Sequence, residues 1–235
     1  MNKIPKDKSI EQKNIDFFSN NLDYQNDVNK IDTYQILFNE ITNKISGSYR
    51  LLDIGHGGSF DYDTNKAKEI IGLDLDQMIG EKLLPKNIQL KVGSALDIPN
   101  DLKNFDTTLL VMLIHHLIGK NVNENLKNLD KCLHESKKTL VDNGKLVIVE
   151  SCVPHWFYLI EKLLFKLSSI FINKFLKHPP AFQFTKDIIV KSLKKNNYKK
   201  ISFNKIKQGK YILQYGFKVP TFLTPVETVI ITAYK

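Results

Sequence analysis

The feature that most constrains the fold is an apolar run that ends in three closely spaced glycines. Residues 51–60 read Leu-Leu-Asp-Ile-Gly-His-Gly-Gly-Ser-Phe. Such a run predicts a buried strand that turns sharply, because glycine adopts backbone conformations that other residues avoid. A second apolar run, residues 70–73, ends in Asp74, nineteen residues after Gly55. A glycine turn followed by a carboxylate that accepts from a ribose diol is typical of nucleoside sites in doubly wound sheets.

The spacing of the glycines argues against a dinucleotide ligand. A dinucleotide fingerprint needs glycines at positions 55, 57 and 60, but the last position is Phe60. A phenylalanine is too bulky for the close packing of a pyrophosphate loop. Asp53, two residues before the first glycine, suits a ligand that carries an amino group better than it suits a diphosphate.

Two motifs of this chain resemble those of the class I S-adenosylmethionine-dependent methyltransferases. The first motif of that family runs Asp-x-Gly-x-Gly-x-Gly, and here it begins at Asp53 and has Ser59 in place of its third glycine. Residues 93–99 resemble the third-strand motif, in which Asp97 would reach the adenine amino group. The resemblance implies S-adenosylmethionine as the cofactor and small molecules as acceptors. The implied cofactor-binding residues are Asp53, Gly55, His56, Gly57, Asp74, Leu75, Ala95, Leu96, Asp97 and Met112.

The chain up to Glu150 alternates between predicted strands and helices. A helix is expected around residues 65–69, after Asp63 or Thr64 as its N-cap. Another is expected from about Val122 to Leu140, ended by a left-handed Gly144. The first expected strand ends at Ile54. The next four are expected at residues 70–73, 88–92, 105–113 and 145–149. The resemblance implies an α/β fold with a Rossmann-like, seven-stranded, mostly parallel sheet in the order 3-2-1-4-5-7-6.

The alternation breaks after Glu150. Residues 156–176 form a broadly apolar helical region, which is either buried or covers something apolar. Thr185 then caps a helix to about Asn196, and strands are expected at residues 200–206 and 228–234. We expect a flexible N-terminal segment, residues 1–30, and a single domain, residues 31–235, that carries a helical cover insertion at about 154–178.

The candidate catalytic pair is His115 and Glu150. Methyl transfer from a sulfonium requires the protein mainly to position the acceptor and to remove its proton, and a histidine suits that task. Strand 105–113 precedes His115 and strand 145–149 precedes Glu150. These two strands are neighbours in the implied strand order, so imidazole and carboxylate can meet. The resemblance implies His115 as base and Glu150 as its partner. The residues predicted to bind the acceptor are His116, Trp156, Tyr211 and Tyr215.

No metal site is predicted. The six histidines are scattered, and the sequence has neither a His-Glu-x-x-His spacing nor a Cys/His ladder.

The positive charge lies in the C-terminal part of the chain. The net charge is +9, and residues 151–235 hold 15 lysines and 3 acids, a net of +12, which leaves −3 for residues 1–150. An anionic partner would be a phosphate-bearing substrate, a nucleic acid or a membrane surface. Arg50 is the only arginine, whereas nucleic-acid binders use arginine for phosphate and base contacts, so the composition does not favour nucleic acid. A weak interaction with an anionic membrane surface stays open.

The chain is expected to be cytoplasmic. Its two cysteines, Cys132 and Cys152, suggest no disulfide framework, the first 13 residues lack the apolar core of a signal peptide, and no apolar run is long enough to span a bilayer. The sequence thus favours methylation of an oxygen, nitrogen or carbon of a small, partly apolar metabolite. Three alternatives remain: a nucleic-acid methyltransferase, a membrane-surface enzyme acting on lipid or quinone, and a cofactor-binding scaffold without turnover. The oligomeric state is not predicted.

Overall fold

The computed structural model describes residues 12–16, 31–76, 84–171, 181–214 and 217–235. These residues form a seven-stranded sheet in the order β3-β2-β1-β4-β5-β9-β6 and a separate two-stranded hairpin, β7-β8. The strands are β1 (Ser48–Ile54), β2 (Ala67–Asp74), β3 (Ile88–Val92), β4 (Phe105–Val111), β5 (Leu140–Cys152), β6 (Lys199–Lys205), β7 (Tyr211–Gln214), β8 (Phe217–Pro220) and β9 (Glu227–Tyr234). The α-helices are α1 (Asp32–Ile45), α2 (Val122–Thr139), α3 (His155–Phe171) and α4 (Lys186–Lys195).

The large sheet has the predicted Rossmann-like arrangement. Strands β1 to β5 are parallel where they pair, and β9 runs antiparallel to both β5 and β6. Since β9 is the seventh strand of this sheet in chain order, the observed order matches the predicted 3-2-1-4-5-7-6. The parallel strands β1, β2 and β4 therefore deliver their carboxyl ends to one edge, where open α/β sheets bind ligands.

Both faces of the sheet are buried at its central strands, whose successive residues point to opposite sides. On one face Leu146 and Ile148 of β5 join a core that contains side chains of α2 and α4. On the other face Val147 and Val149 join a core that contains Leu37, Ile41 and Ile45 of α1. This arrangement explains why β5 is a nearly continuous apolar run.

The predicted helix between the first two strands is wrong. Only a single 3₁₀ turn, Thr64–Lys66, follows the Asp63 cap, and β2 begins at Ala67 rather than at Ile70. Arg50 lies opposite Glu69 in the β1–β2 register, and the two side chains form an ion pair of 3.0 Å. Strand pairing with β1 thus overrides the helical tendency of residues 67–69.

The next helix has the predicted bounds to within one residue, but the predicted left-handed Gly144 is wrong. Helix α2 ends at Thr139, and β5 starts immediately afterwards at Leu140. The left-handed residue is Asn143, with φ of 61°, and not Gly144. Gly144 is needed for a different reason: a Cβ there would lie 2.9 Å from the carbonyl oxygen of Val141.

The C-terminal elements lie close to their predicted positions. Thr185 caps α4 by accepting from the N–H of Ile188 at 3.2 Å. The predicted insertion contains the helix α3, although residues 172–178 of that insertion lie outside the described part of the chain, and its role as a cover stays a prediction. Of the predicted flexible segment, residues 1–30, the structure describes only 12–16, which are helical.

The hairpin β7-β8 packs on the start of α1. The carboxylate of Asp32 accepts from the N–H of Lys210 at 2.7 Å, and this bond is the main cause that lowers the pKa of Asp32. Thr33 donates through Oγ1 to the carbonyl of Tyr211 at 2.5 Å. The described part of the segment between β6 and β9 therefore packs against α1.

Candidate active site

The loop after β1 has the backbone that its glycines allow. Gly55, Gly57 and Gly58 all have positive φ, which is strained for residues with a Cβ. A Cβ on Gly55 would lie only 2.6 Å from Cδ1 of Leu113, whereas one on Gly57 would meet no atom within 4 Å. Gly55 thus permits tight packing against the end of β4, and the backbone of Gly57 borders open space that a ligand can approach.

Asp74, at the carboxyl end of β2, holds this loop from the neighbouring strand. Its Oδ2 accepts from the N–H of Gly57 at 2.8 Å, and its Oδ1 accepts from the N–H of Leu75 at 2.7 Å. Burial raises the pKa of the Asp74 carboxyl. Each oxygen keeps a further lone pair for a ribose hydroxyl, because a carboxylate offers about four acceptor positions.

His56, between the glycines, is buried inside the loop. Its Nδ1 accepts from the N–H of Gly58 at 3.0 Å, and its ring stacks on Phe60 at 5.3 Å between centroids. A Cβ on Gly72 of β2 would lie 2.9 Å from the His56 ring. Desolvation lowers the pKa of His56, so the ring is neutral and packs as part of the loop's own core.

Asp53 and Tyr62 form a buried pair beneath the loop. The Tyr62 hydroxyl donates to Oδ2 of Asp53 at 2.9 Å, and both side chains are 2% exposed. Oδ1 of Asp53 is buried without a hydrogen-bond partner among the described residues. Desolvation raises the pKa of Asp53 to about 8, and the hydrogen bond from Tyr62 opposes this shift.

These residues fit S-adenosylmethionine. The unpartnered Oδ1 of Asp53 is an acceptor suited to an ammonium group, since buried polar atoms are normally satisfied. Asp74 supplies spare acceptor positions for a ribose diol, and the backbone beside Gly57 is open. Asp97 is exposed in the loop after β3, where Ser94 Oγ accepts from the N–H of Leu96 at 3.2 Å. The adenine contacts of Ala95, Leu96 and Asp97 stay a prediction.

Met112, the residue directly after β4, has an unusual backbone conformation. Its φ is 50°, its N–H donates to the carbonyl of Val149 at 2.8 Å, and its sulfur accepts from Ser151 Oγ at 3.3 Å. Non-glycine residues with positive φ are uncommon and cluster at functional sites. The turn at Met112 directs the chain into a single 3₁₀ turn, Ile114–His116.

His115 and Glu150 are in direct contact. Nδ1 of His115 lies 2.6 Å from Oε1 of Glu150. The Glu150 side chain is 1% exposed and also accepts from two backbone N–H groups, that of Ile114 at 2.9 Å and that of Ser151 at 2.7 Å. Because a carboxylate only accepts, Nδ1 of His115 carries the proton and Nε2 is left as a base.

An extended segment that sequence reasoning missed, residues 181–184, joins the two halves of this pair. The N–H of Phe182 donates to the carbonyl of His115 at 2.9 Å, and the carbonyl of Phe184 accepts from the N–H of Val153 at 3.1 Å. Both phenylalanines are buried. The alternation Phe-x-Phe between Pro180 and Thr185 is the sequence signal that could have identified a buried strand-like segment.

The predicted acceptor-binding residues lie in different surroundings. The ring of His116 lies beside that of His115, with 4.1 Å between the centroids and an angle of 46° between the ring planes. Trp156 is exposed at the start of α3 and contacts Phe157, and Tyr211 is exposed in β7 beneath the ammonium group of Lys218. Tyr215 lies outside the described residues. Their role in acceptor binding stays a prediction.

The described side chains include no group of three or more His, Cys, Asp or Glu placed to hold a metal ion. Across the same part of the chain, none of the helices combines the length and apolar character needed to cross a membrane.

Comparison with known proteins finds a methyltransferase domain over the part of the chain that holds this site. A family model described as a methyltransferase domain matches residues 52–148, which include the glycine loop, Asp74 and His115. Together with the strand order, this match supports the resemblance to the class I S-adenosylmethionine-dependent methyltransferases that the sequence motifs indicate. The matched methyltransferase domain indicates S-adenosylmethionine as the cofactor. A search of curated proteins finds no match.

Solved structures share the fold at low sequence identity. The N-methyltransferase NodS from Bradyrhizobium japonicum, solved with S-adenosyl-L-homocysteine, has a TM-score of 0.60 at 9% identity, over 97% of this chain and 99% of its own. A possible histamine N-methyltransferase from Thermotoga maritima has a TM-score of 0.60 at 15% identity, over 94% and 99%. The [4+2]-cyclase SpnF has a TM-score of 0.56 at 14% identity, over 83% and 80%. Such likeness shows the fold and does not select a substrate.

Proposed function

We propose that this protein transfers a methyl group from S-adenosylmethionine to an oxygen, nitrogen or carbon of a small, partly apolar acceptor. The observation that carries the proposal is the His115–Glu150 pair, because a histidine held by a buried carboxylate is a ready general base. His115 follows β4, Glu150 lies near the carboxyl end of β5, and the glycine loop follows β1, so all three lie at the same edge of the sheet.

The binding residues have separable roles. Asp53 would accept from the ammonium group of the cofactor, and Asp74 would accept from its ribose hydroxyls while it keeps Gly57 in place. When bound, S-adenosylmethionine supplies a methyl group already activated by its sulfonium. The protein therefore has to exclude water, orient the acceptor and remove one proton.

The base is prepared by three fixed contacts around Glu150. Its hydrogen bonds from the backbone of Ile114 and Ser151 prevent the carboxylate from rotating away from His115. Glu150 accepts from Nδ1 of His115, which leaves Nε2 to take the proton of the acceptor. The negative charge of Glu150 then stabilises the imidazolium that forms.

A single experiment tests cofactor binding and turnover separately. Calorimetry measures the affinity for S-adenosylmethionine, and release of S-adenosyl-L-homocysteine is followed over a panel of phenols, amines and apolar acids. We expect binding and turnover on at least one acceptor, with turnover lost in His115→Ala. His134, an exposed histidine on α2, provides the matched control. Binding without turnover on every acceptor would instead support a non-catalytic scaffold, and an unchanged rate in His115→Ala would reject the base.

A further inference from the structure

Helix α3 presents a continuous apolar surface to solvent. Five side chains at helical spacing are exposed, and we call them the α3 patch: Trp156, Leu159, Ile160, Leu163 and Leu164. Leu163 is 84% exposed, which is far from the burial usual for leucine. The opposite side of the helix is already used, since Tyr158 and Phe165 pack edge-on against Phe182 at 5.6 and 5.4 Å. The helix is therefore fixed to the protein by one face and apolar on the other.

A second apolar group lies at the same edge of the sheet. Phe217, Phe222 and Leu223, which we call the turn patch, are exposed in β8 and the 3₁₀ turn that follows it. Cys152, the last residue of β5, pairs with Glu227, the first residue of β9. Helix α3 follows β5 and the turn patch precedes β9, so both are joined to the same end of the sheet. Both patches thus belong to the end of the molecule that carries Glu150.

The sequence that contains the two patches is basic, and Lys162 is exposed on α3 itself. From His155 to Thr185 the sequence contains four lysines and a single acid, Glu161. That acid faces the protein, where its Oε2 accepts from the N–H of Gln183 at 3.2 Å. From Lys207 to Val226 there are three lysines and no acid. An occupant of this surface must therefore be apolar where it meets the patches and negatively charged around them.

We infer that the α3 patch and the turn patch seat the protein on an anionic membrane surface. An amphipathic helix with leucines, an isoleucine and a tryptophan on its outer face, bordered by lysines, is suited to lie at the boundary between headgroups and acyl chains. Anionic lipids complement the lysines. A second copy of the chain would bring like charges together, and a nucleic acid would leave Leu159, Ile160 and Leu163 without apolar contacts.

The inference concerns attachment to a surface and not a membrane-spanning segment. It does not depend on methyl transfer, because attachment is measurable without cofactor or acceptor. If both proposals hold, the docked face brings the edge of the sheet that carries His115 next to an apolar phase. Acceptors that dissolve in lipid would then be the class of substrate supplied to the site.

The sole tryptophan of the sequence provides the probe, since Trp156 belongs to the α3 patch. The full-length protein is mixed with vesicles of phosphatidylcholine alone or of phosphatidylcholine with phosphatidylglycerol. Flotation measures binding, and tryptophan emission reports the surroundings of α3. We expect binding to the phosphatidylglycerol vesicles, weakening with added salt and accompanied by a blue shift of the emission.

Variants locate the surface. Leu163→Glu should weaken vesicle binding by about tenfold or more. The leucine would be buried among acyl chains on binding, whereas a glutamate is repelled by anionic lipid. Leu163→Phe should retain binding. Tyr49→Glu is the matched control, since Tyr49 is exposed to the same extent as Trp156, 58%, but lies at the amino-terminal end of β1. Circular dichroism checks that each variant is folded.

Three results would overturn the inference. One is a lack of binding to phosphatidylglycerol vesicles, and another is binding that leaves Trp156 emission unchanged or is equally reduced by Tyr49→Glu. The third is a blue shift that grows with protein concentration in the absence of lipid, because a second copy of the chain would then cover the patch. Loss of methyl transfer with vesicle binding intact would reject the proposed function and leave this inference standing.

Discussion

The hydroxyl of Tyr62 donates to Oδ2 of Asp53 at 2.9 Å in the loop where the sequence predicts a helix. Only the 3₁₀ turn Thr64–Lys66 interrupts that loop before β2 begins at Ala67. Tyr62 joins the core formed with α1, so its ring fills space beside the sheet while its hydroxyl holds the acid of the first motif. Under the proposed function, this pair links the stability of the loop to the binding of the cofactor.

Tyr62→Phe should weaken both properties. Removing the hydroxyl leaves the buried Asp53 without its hydrogen bond, which should lower the free energy of unfolding by about 1–3 kcal/mol. The pKa of Asp53 should rise further because the Tyr62 bond lowers it, so cofactor affinity at neutral pH should fall. Denaturant unfolding and calorimetry measure the two effects. Tyr198→Phe is the control, because the Tyr198 hydroxyl donates to Leu133 on the α2 side of the sheet. It should cost stability without changing cofactor affinity.

Stability should depend on the ionisation of Asp53. Its pKa is about 8 in the folded protein, above the 3.8 of an ordinary aspartate. Between these values the folded state holds a proton that the unfolded state has lost. The contribution of Asp53 to the free energy of unfolding is thus complete below about pH 4 and is lost as pH rises toward 8, by at most ~1.4 kcal/mol per pH unit. Asp53→Asn should remove this slope, as measured by denaturant unfolding from pH 5 to pH 8. Identical slopes in both proteins would contradict the assignment.

The same ionisation should couple cofactor binding to pH. An ammonium group requires the ionised form of Asp53, so binding should release a proton and affinity should rise with pH, up to about tenfold per unit, well below pH 8. Calorimetry in buffers of different ionisation enthalpy counts the released protons. In Asp53→Asn the affinity should be low and this pH dependence absent. Proton uptake by the wild-type protein on binding would show that Asp53 does not contact the ammonium group.

His115 and Glu150 should act as one unit. His115→Ala should lower turnover by about two to four orders of magnitude, with cofactor affinity intact. Glu150→Gln should cost less, but it also places an amide NH₂ where the carboxylate accepts only from N–H groups, so some stability should be lost. The double variant should be little worse than His115→Ala. Additive effects on turnover would mean that the residues act independently.

Asp74→Ala should weaken cofactor binding by about 1.5–3 kcal/mol, because a charged acceptor for the ribose hydroxyls is lost. The variant also frees the N–H of Gly57, which the carboxylate holds at 2.8 Å. Calorimetry on the folded variant measures the loss. Asp142→Ala, at an exposed position near the start of β5, is the control and should bind normally. Unchanged affinity in Asp74→Ala would remove this residue from the cofactor site.

The sequence by itself determined those elements whose signals are local. Apolar runs gave the strands of the large sheet to within a few residues, and Thr185 marked the start of α4 because a hydroxyl beside free backbone N–H groups caps a helix. The glycines and Asp74 were identifiable because their chemistry depends on residue type and spacing. Those signals act within one segment, so no partner from elsewhere in the chain is needed to produce them.

Only the tertiary structure decided which segment meets which. Residues 67–69 favour a helix locally but form a strand because Arg50 and Glu69 face each other across β1 and β2. Residues 181–184 show little by themselves, yet they hold His115 and Val153 through backbone hydrogen bonds. The 2.6 Å contact of His115 with Glu150 likewise requires two strand ends brought together from 35 residues apart. Long-range pairing gives hydrogen-bond partners to backbone and side-chain groups that local conformation leaves without one. This gain outweighs the local preference for helix or strand, which is about 0.5 kcal/mol per residue.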